Sequence, residues 1–331
     1  MVKFLIIRFS SIGDIVLTTP IVRCLKNQVK DSEIHYLIKS KFAPVIAANP
    51  YIDKIHILEN NFSNLIHNLK EEGFDYIIDL HRNIRTFRVK NRLHRFSLTF
   101  NKLNIEKWLM VNFKINKLPD IHIVDRYFKA VSLFSVTNDN KGLDFFINNA
   151  DEILLPKVLP KLKSRYIILV IGGGHYTKQI PLVKIIELLE YLNYPVILIG
   201  GNEDIDKAKE VEKFTNKEIY NLVGKLNIGQ SASMINQAEL IITSDTGMMH
   251  IASAFKKNIF SVWGNTIPEF GMYPYFPGQF SEIFEVKNLA CRPCSKIGYK
   301  KCPKKHFKCM LELNFKNFAD KINIQFRNYE Q

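Results

Sequence analysis

Residues 3–14 read K-F-L-I-I-R-F-S-S-I-G-D, and the rest of the fold follows from how they are read. Positions 3–9 are almost continuously apolar, the pattern of a strand covered on both faces in a parallel sheet. The run ends in Ser10-Ser11-Ile12-Gly13-Asp14, and from Ile15 to position 29 apolar residues return at helical spacing. Strand, polar loop and helix then alternate. Residues 33–39, 54–58 and 75–80 read as strands; 42–48, 62–70, 85–93 and 121–134 read as helices. Such alternation predicts a doubly wound parallel α/β sheet.

A polar, proline-containing stretch at 137–165 reads as a connection, after which the alternation restarts. Y-I-I-L-V-I-G-G-G, P-V-I-L-I-G-G, E-I-Y-N-L-V-G, E-L-I-I-T-S-D and N-I-F-S-V-W-G read as strands. Helices are expected at 181–192, 205–214, 230–236 and 247–255. Past Gly264 the chain turns loop-rich, and 311–327 reads as a last amphipathic helix. The expected organisation is a first Rossmann-like domain at 1–150, a second at 151–310 and a C-terminal helix at 311–331. A chain of 331 residues, 47% hydrophobic, can fill two such cores. Two units of this kind are expected to face a central cleft, with chemistry in the loops at the carboxyl ends of strands.

The formal net charge is +14. Much of the excess is local: between Arg82 and Lys117 ten basic residues stand against one acidic residue, Glu106. Such a stretch suits a phosphorylated substrate, an anionic membrane face or nucleic acid, and a merely solvated basic face is the plain alternative. No apolar run reaches the ~20 residues of a membrane span and no secretory leader is recognisable, so a cytoplasmic protein is expected.

Two loops carry the sharpest chemistry. Asp14 stands at or just before a helix start, where the macrodipole favours an ionised carboxylate. It reads either as a helix cap or as a general base for an incoming hydroxyl. The passage Asp245-Thr246-Gly247-Met248-Met249-His250 follows a strand and opens a helix, whose free N–H groups suit a phosphate. Capping by Asp245 or Thr246, with His250 in the core, is the structural alternative. Gly172-Gly173-Gly174-His175-Tyr176-Thr177-Lys178 could cradle phosphates through glycine amides and a lysine. Glu203, after Gly200-Gly201, could accept from ribose hydroxyls or simply be a solvated glutamate. Four cysteines cluster as Cys291-x2-Cys294-x7-Cys302-x6-Cys309. A structural zinc site, free or redox-labile thiols and disulfides all stay open for them. Cys24 stands apart in an apolar helical pattern and reads as a small core residue.

R-F-S-S-I-G-D-I-V-L-T-T-P at 8–20 resembles the opening of glycosyltransferase family 9, the ADP-heptose:lipopolysaccharide heptosyltransferases. S-D-T-G-M-M-H-I-A-S-A at 244–254 and G-N-T-I-P-E-F-G-M-Y-P-Y at 264–275 resemble its donor-site passage, and D-Y-I-I-D-L-H-R-N-I-R at 75–85 and H-I-V-D-R-Y at 122–127 add to the likeness. The resemblance spans nearly the whole chain. It implies the two-domain GT-B fold and metal-independent, inverting transfer from an ADP-sugar. It implies Asp14 as the base, Lys178 as a phosphate-binding lysine and Glu203 as a ribose ligand, with Asp245, Thr246, Gly247 and His250 at the donor. It further implies a lipid-linked anionic saccharide acceptor at the inner face of the cytoplasmic membrane, with no nucleic acid partner. Ser10, Ser11, Gly13, Arg82, Arg85 and Arg126 are the candidate acceptor contacts, and Arg88 and Arg92 further basic candidates. No cofactor is required, structural zinc aside. One departure is that Gly173 and Gly174 stand where family members often carry hydroxyl side chains. The alternatives are a transferase or epimerase using another nucleotide sugar, and a basic nucleic-acid-binding α/β protein.

Overall fold

The computed structural model describes residues 1–58, 60–162 and 165–327. Residues 163–164 of the expected connection and 328–331 of the expected C-terminal helix lie outside these. By internal contacts the chain divides into two compact units, Met1–Leu103 with Asp120–Asn148, and Asn104–Pro119 with Asn149–Gln331.

The first unit holds β1 (Val2–Ile7), β2 (Ser32–Ile38), β3 (Lys54–Ile57), β4 (Tyr76–Asp79) and β5 (Phe96–Thr99). They form one all-parallel sheet in the order β3-β2-β1-β4-β5. Its helices are α1 (Ile12–Val16), α2 (Thr19–Gln28), α3 (Phe62–Glu71) and α4 (Ile84–Leu93). The chain then spends residues 104–119 on the second unit, including α5 (Asn104–Phe113), and returns for α6 (Ile123–Phe128). Leu5, Ile7 and Phe9 from the β1 run pack with Leu65, Leu69, Val89 and Leu93 of α3 and α4, which explains the continuous apolar run in β1.

After α5, the second unit resumes with the short α7 (Leu155–Val158). Its strands are β6 (Ile167–Val170), β7 (Val196–Ile199), β8 (Ile219–Asn221), β9 (Leu240–Ser244), β10 (Asn258–Trp263) and β11 (Glu282–Glu285). These too are all parallel, in the order β11-β10-β9-β6-β7-β8. The helices are α8 (Leu182–Tyr191), α9 (Ile205–Phe214), α10 (Ile228–Gln237), α11 (Gly247–Ala254), α12 (Lys308–Leu311) and α13 (Phe315–Arg327). α13 packs on α8, and its Phe315, Phe318 and Ile322 belong to the core of this unit. Each sheet has the doubly wound nucleotide-binding order, reversing direction beside its first strand. The expected fold class, GT-B built from two Rossmann-like parallel-sheet domains, is thus realised in both units.

Several elements differ from the sequence reading. The helix expected over 15–29 is two helices. The Thr18 and Thr19 hydroxyls bond back to Ile15 O (2.7 Å) and Val16 O (2.8 Å), and Pro20 has no N–H to continue the ladder. Around Pro44 the expected helix is a 3₁₀ turn, Ser40–Val45. The helix expected over 121–134 stops at Phe128. β5, β11 and α5 were not expected. The two strands are short and lie at sheet edges, so they lack the long apolar run that marks a central parallel strand.

The first unit is closed by Arg23 of α2, which is buried. It donates to Asp139 through Nε (2.9 Å) and Nη2 (2.8 Å), to Gly142 O (2.9 Å), and pairs with Asp144. Arg23→Met strands two carboxylates in a low-dielectric setting and should cost about 3 kcal/mol. A urea titration followed by far-UV circular dichroism should show an earlier transition for this unit.

Candidate active site

In the first unit β1 and β4 are neighbours although two strands separate them in the chain, with Ile7 in register with Asp79. The loops that follow them, 8–14 and 80–83, therefore start side by side at the switch point of the sheet. Arg8 organises them. It is 7% exposed and commits its nitrogens to fixed partners: Nε to Ser10 O (2.9 Å), Nη1 to Leu80 O (2.5 Å) and Tyr127 OH (3.2 Å), and Nη2 to Asp14 Oδ1 (2.5 Å). Asp14 is the third residue of α1, inside the first turn and not ahead of it, because Ser11 takes the N-cap position. Its carboxylate also accepts from Ser11 N–H (3.2 Å) and Ser11 Oγ (2.8 Å). Burial pushes the Asp14 carboxyl up, but the Arg8 charge and the two Ser11 bonds outweigh it and hold it down at about 2. Asp14 is thus ionised at any physiological pH.

Sequence reasoning named Asp14 and passed over Arg8. The signal was there: a lone cation at the end of an apolar strand run must have a partner once buried. His81 was passed over too. It follows β4 on a turn where the buried Asp79 accepts from the N–H groups of His81 (3.1 Å) and Arg82 (2.7 Å) and pairs with Lys90 Nζ (3.0 Å). Burial first, then the Arg8 and Lys102 charges, push the imidazole down to about 4, so it is neutral at pH 7.

The acceptor candidates fare differently. Ser10, Ser11 and Gly13 lie on the Asp14 loop, with Ser11 exposed and Gly13 buried. Arg82 is exposed with φ 49° and reaches Phe100 O (3.0 Å). Arg85 is exposed, its guanidinium 6.0 Å from the Phe9 ring centre. Arg126 is the buried arginine among these candidates. It is 3% exposed, carried inward on α6 beside the buried Val124, Tyr127 and Phe128.

In the second unit β6 and β9 are neighbours, Leu169 in register with Ile242, and their loops hold the donor candidates. Lys178 Nζ pairs with Asp245 Oδ2 at 2.5 Å, and Thr266 Oγ1 donates to the same oxygen (2.9 Å). Thr246 occupies the N-cap of α11, and its side chain does not cap the first turn; its hydroxyl is 3.0 Å from Thr243 Oγ1. Gly247 opens the helix. His250 is 2% exposed and so belongs to the packed side of α11. Of the three glycines after β6, Gly172 is required for packing, because a Cβ there would collide with the Asp204 carboxylate; a Cβ on Gly174 would meet open space. Glu203 is exposed beside Gly201, while the neighbouring Asp204 is buried and accepts from Gly201 N–H (2.9 Å), fixing the turn after β7. Asn265 is a residue that sequence reasoning did not single out. It is 1% exposed next to Thr266, and neither of its amide atoms is hydrogen-bonded among the described residues. A buried unpaired amide is costly, and a ligand's polar atoms would relieve that cost.

Of the readings left open for Cys291, Cys294, Cys302 and Cys309, the structural zinc site finds no three of their ligand atoms brought together among the described residues. All five cysteines are free thiols. Among the described residues the only group of three metal-ligand atoms within 4.8 Å of one another is His35, His56 and Glu72. Cys309 packs in the core with Phe307 and Met310, where burial pushes its thiol up to about 12. Cys291 Sγ instead lies 3.8 Å from His306 Nε2. The His35 group is a hydrogen-bonded cluster: His35 Nδ1 to His56 Nε2 (2.9 Å), His35 Nε2 to Glu33 (2.6 Å), and Glu72 to Lys54 Nζ (2.5 Å). A divalent ion there would have to take Glu72 from Lys54. His35 is in register with Leu5 and with Lys54, the first residue of β3, away from the carboxyl-end loops.

The family model for glycosyltransferase family 9 (heptosyltransferase) matches residues 62–307, well over half of the chain. The chain belongs to this family. Lipopolysaccharide heptosyltransferase 1 of Campylobacter coli is 24% identical over 288 residues, covering 80% of this chain and 84% of that one. The crystal structure of a family 9 glycosyl transferase from Veillonella parvula superposes with a TM-score of 0.79 at 21% identity, covering 97% of this chain and 96% of that one. The Escherichia coli ADP-heptose lps heptosyltransferase II superposes with a TM-score of 0.76 at 17% identity, over 99% and 100% of the two chains. As a family 9 member the protein is a glycosyltransferase of the heptosyltransferase type.

Arg8→Lys keeps the charge but loses the guanidinium fork. With a depressed folded-state pKa, Asp14 contributes stability that is present above the ordinary aspartate value and lost as pH falls from about 4 through about 2. The substitution should remove about 2 kcal/mol at pH 7 and flatten this acid loss. Urea unfolding at a series of pH values checks both.

Proposed function

We propose that this protein moves a heptose or closely related sugar from an ADP-sugar to a lipid-linked, anionic core saccharide, with inversion and with Asp14 as general base. The observation that carries the reading is the Lys178–Asp245 pair beside the first turn of α11, left uncapped by the Thr246 side chain, at the switch point of the second sheet, in a member of this family. A diphosphate would take Lys178 from Asp245 and add the N–H groups of α11, a preorganised cationic seat for the leaving group.

The chemistry divides between the two units. The acceptor hydroxyl oxygen forms a bond to the anomeric carbon as the bond from that carbon to the diphosphate breaks, and ADP leaves with the electron pair. The hydroxyl proton passes to Asp14. A carboxylate held at about 2 is a weak base towards a resting hydroxyl. Proton transfer therefore follows bond formation, once the attacking oxygen has become strongly acidic. Arg8 keeps the carboxylate ionised and aimed. Asn265 and Glu203 serve polar atoms of the nucleotide, Thr246 and Gly247 serve the diphosphate, and Asp245 serves the donor indirectly, by holding Lys178 until the diphosphate takes it. His250, inside α11, supports that turn. Ser10, Ser11, Arg82 and Arg85 serve the acceptor, with Arg88 and Arg92 of α4 suited to its phosphates. The acceptor's lipid places the enzyme in peripheral contact with the inner face of the cytoplasmic membrane.

Transfer from ADP-heptose to a delipidated core saccharide, followed by product mass and ADP release, tests the reading. Asp14→Asn should lower kcat by about 10³-fold while donor Kd stays within about threefold. Near-normal turnover in this variant removes Asp14 from the mechanism. Lys178→Met should weaken donor binding by about tenfold or more, read by calorimetry with ADP; unchanged ADP affinity would mean that the diphosphate sits elsewhere.

A further inference from the structure

The helix α5 carries an apolar face that is exposed among the described residues. None of its residues is buried. Ile105 and Trp108 lie on one side of the helix, exposed, with Phe113 packed edge-on against Trp108 at 5.1 Å between ring centres, and the exposed Ile115 follows. The opposite side is the one fastened to the second unit: Lys107 Nζ sits 5.8 Å over the Phe270 ring, and Lys114 Nζ donates to Pro293 O (2.6 Å). That last bond joins the end of the helix to the loop running from Cys291 onward. In this loop K-I-G-Y-K-K-C-P-K-K at 296–305 presents five lysines, all exposed, and no carboxylate occurs between Glu285 and Glu312. The loop adds its own exposed Ile297.

We infer that α5 and the lysine-rich loop form one membrane-docking surface, with Trp108, Ile105 and Phe113 entering the headgroup region of an anionic bilayer and the loop lysines binding its lipid phosphates. This deepens the proposed membrane contact and names the face that makes it. Exposed tryptophan and phenylalanine with aliphatic neighbours, on a helix whose lysines lie on its other side and whose end is bonded to a lysine-rich loop, is the chemistry of an interfacial helix. Exposed apolar patches of this kind mark binding surfaces. The carboxylate-free lysine loop matches the charge of an anionic leaflet and repels a cationic protein partner. Two signals, insertion and charge, are what reversible anchoring needs.

The chain's two tryptophans make the test direct. Trp263 is 1% exposed and Trp108 54%, so an emission change on adding vesicles reports Trp108. Vesicles of phosphatidylcholine with phosphatidylglycerol, free of any saccharide acceptor, should shift the emission of the full-length protein to the blue. Pure phosphatidylcholine vesicles should do so far less, and added salt should reverse the shift. In co-sedimentation, Lys300→Glu with Lys301→Glu should lower partitioning by about tenfold or more, and Ile105→Ser with Phe113→Ser by a similar factor. Both pairs are exposed and should leave ADP binding and transfer to the delipidated acceptor unchanged. An unshifted Trp108 emission with anionic vesicles, equal binding to neutral ones, or a concentration-dependent dimer that buries Trp108 without lipid overturns the inference. Because soluble transfer is measured separately, any of these leaves the enzymatic reading standing, whereas lost transfer with intact vesicle binding would count against that reading alone.

Discussion

Parallel pairing between strands that are distant in the chain, β1 with β4 and β6 with β9, is the constraint on which the candidate active site depends. A parallel ladder needs a crossover, and right-handed crossovers on opposite faces leave one place in each sheet where consecutive loops diverge. Each such place here gathers polar loops that are 70 or so residues apart in sequence. The apolar strands fill the core, and the carboxyl ends of the strands are where charge can meet solvent and ligand.

At both switch points the charges are paired before any substrate arrives, yet in different ways. Arg8 spreads over a carboxylate, two carbonyls and a phenol, a fork geometry that fixes Asp14 in place and in its ionised state. Lys178 makes a compact point-charge contact with Asp245. A lysine can exchange one anion for another at small geometric cost, which suits the exchange of Asp245 for a diphosphate proposed for it. The first arrangement favours positioning, the second exchange.

The sequence reading held where one residue pattern dominates and failed where two patterns compete. Central strands such as residues 3–9 and 240–244 are buried on both faces, so their apolar runs are unambiguous. β5 and β11 lie at edges, with polar residues among few apolar ones, and read as loop. α5 escaped because its apolar residues face outward and so do not mark a core-facing stripe. Arg126 and Cys309 were singled out by residue type, as a candidate acceptor contact and as one of a cysteine cluster of open role, and only their places on α6 and beside Met310 show that both are buried. Asp14 and Lys178 stood out as candidates because a carboxylate or an amine in a glycine-containing strand-to-helix loop is itself a chemical statement.

By itself the sequence determined the alternation of strands and helices, the two parallel sheets and the loops that carry the candidate side chains, since these depend on local periodicity and on the length of apolar runs. Only the tertiary structure decided which loops stand side by side, that Arg8 is the partner of Asp14, that Lys178 closes on Asp245, and that residues 104–119 pack with the second unit. Those are contacts between groups far apart in the chain. Their strength comes from burial and low dielectric, which exist only once the sheets have formed.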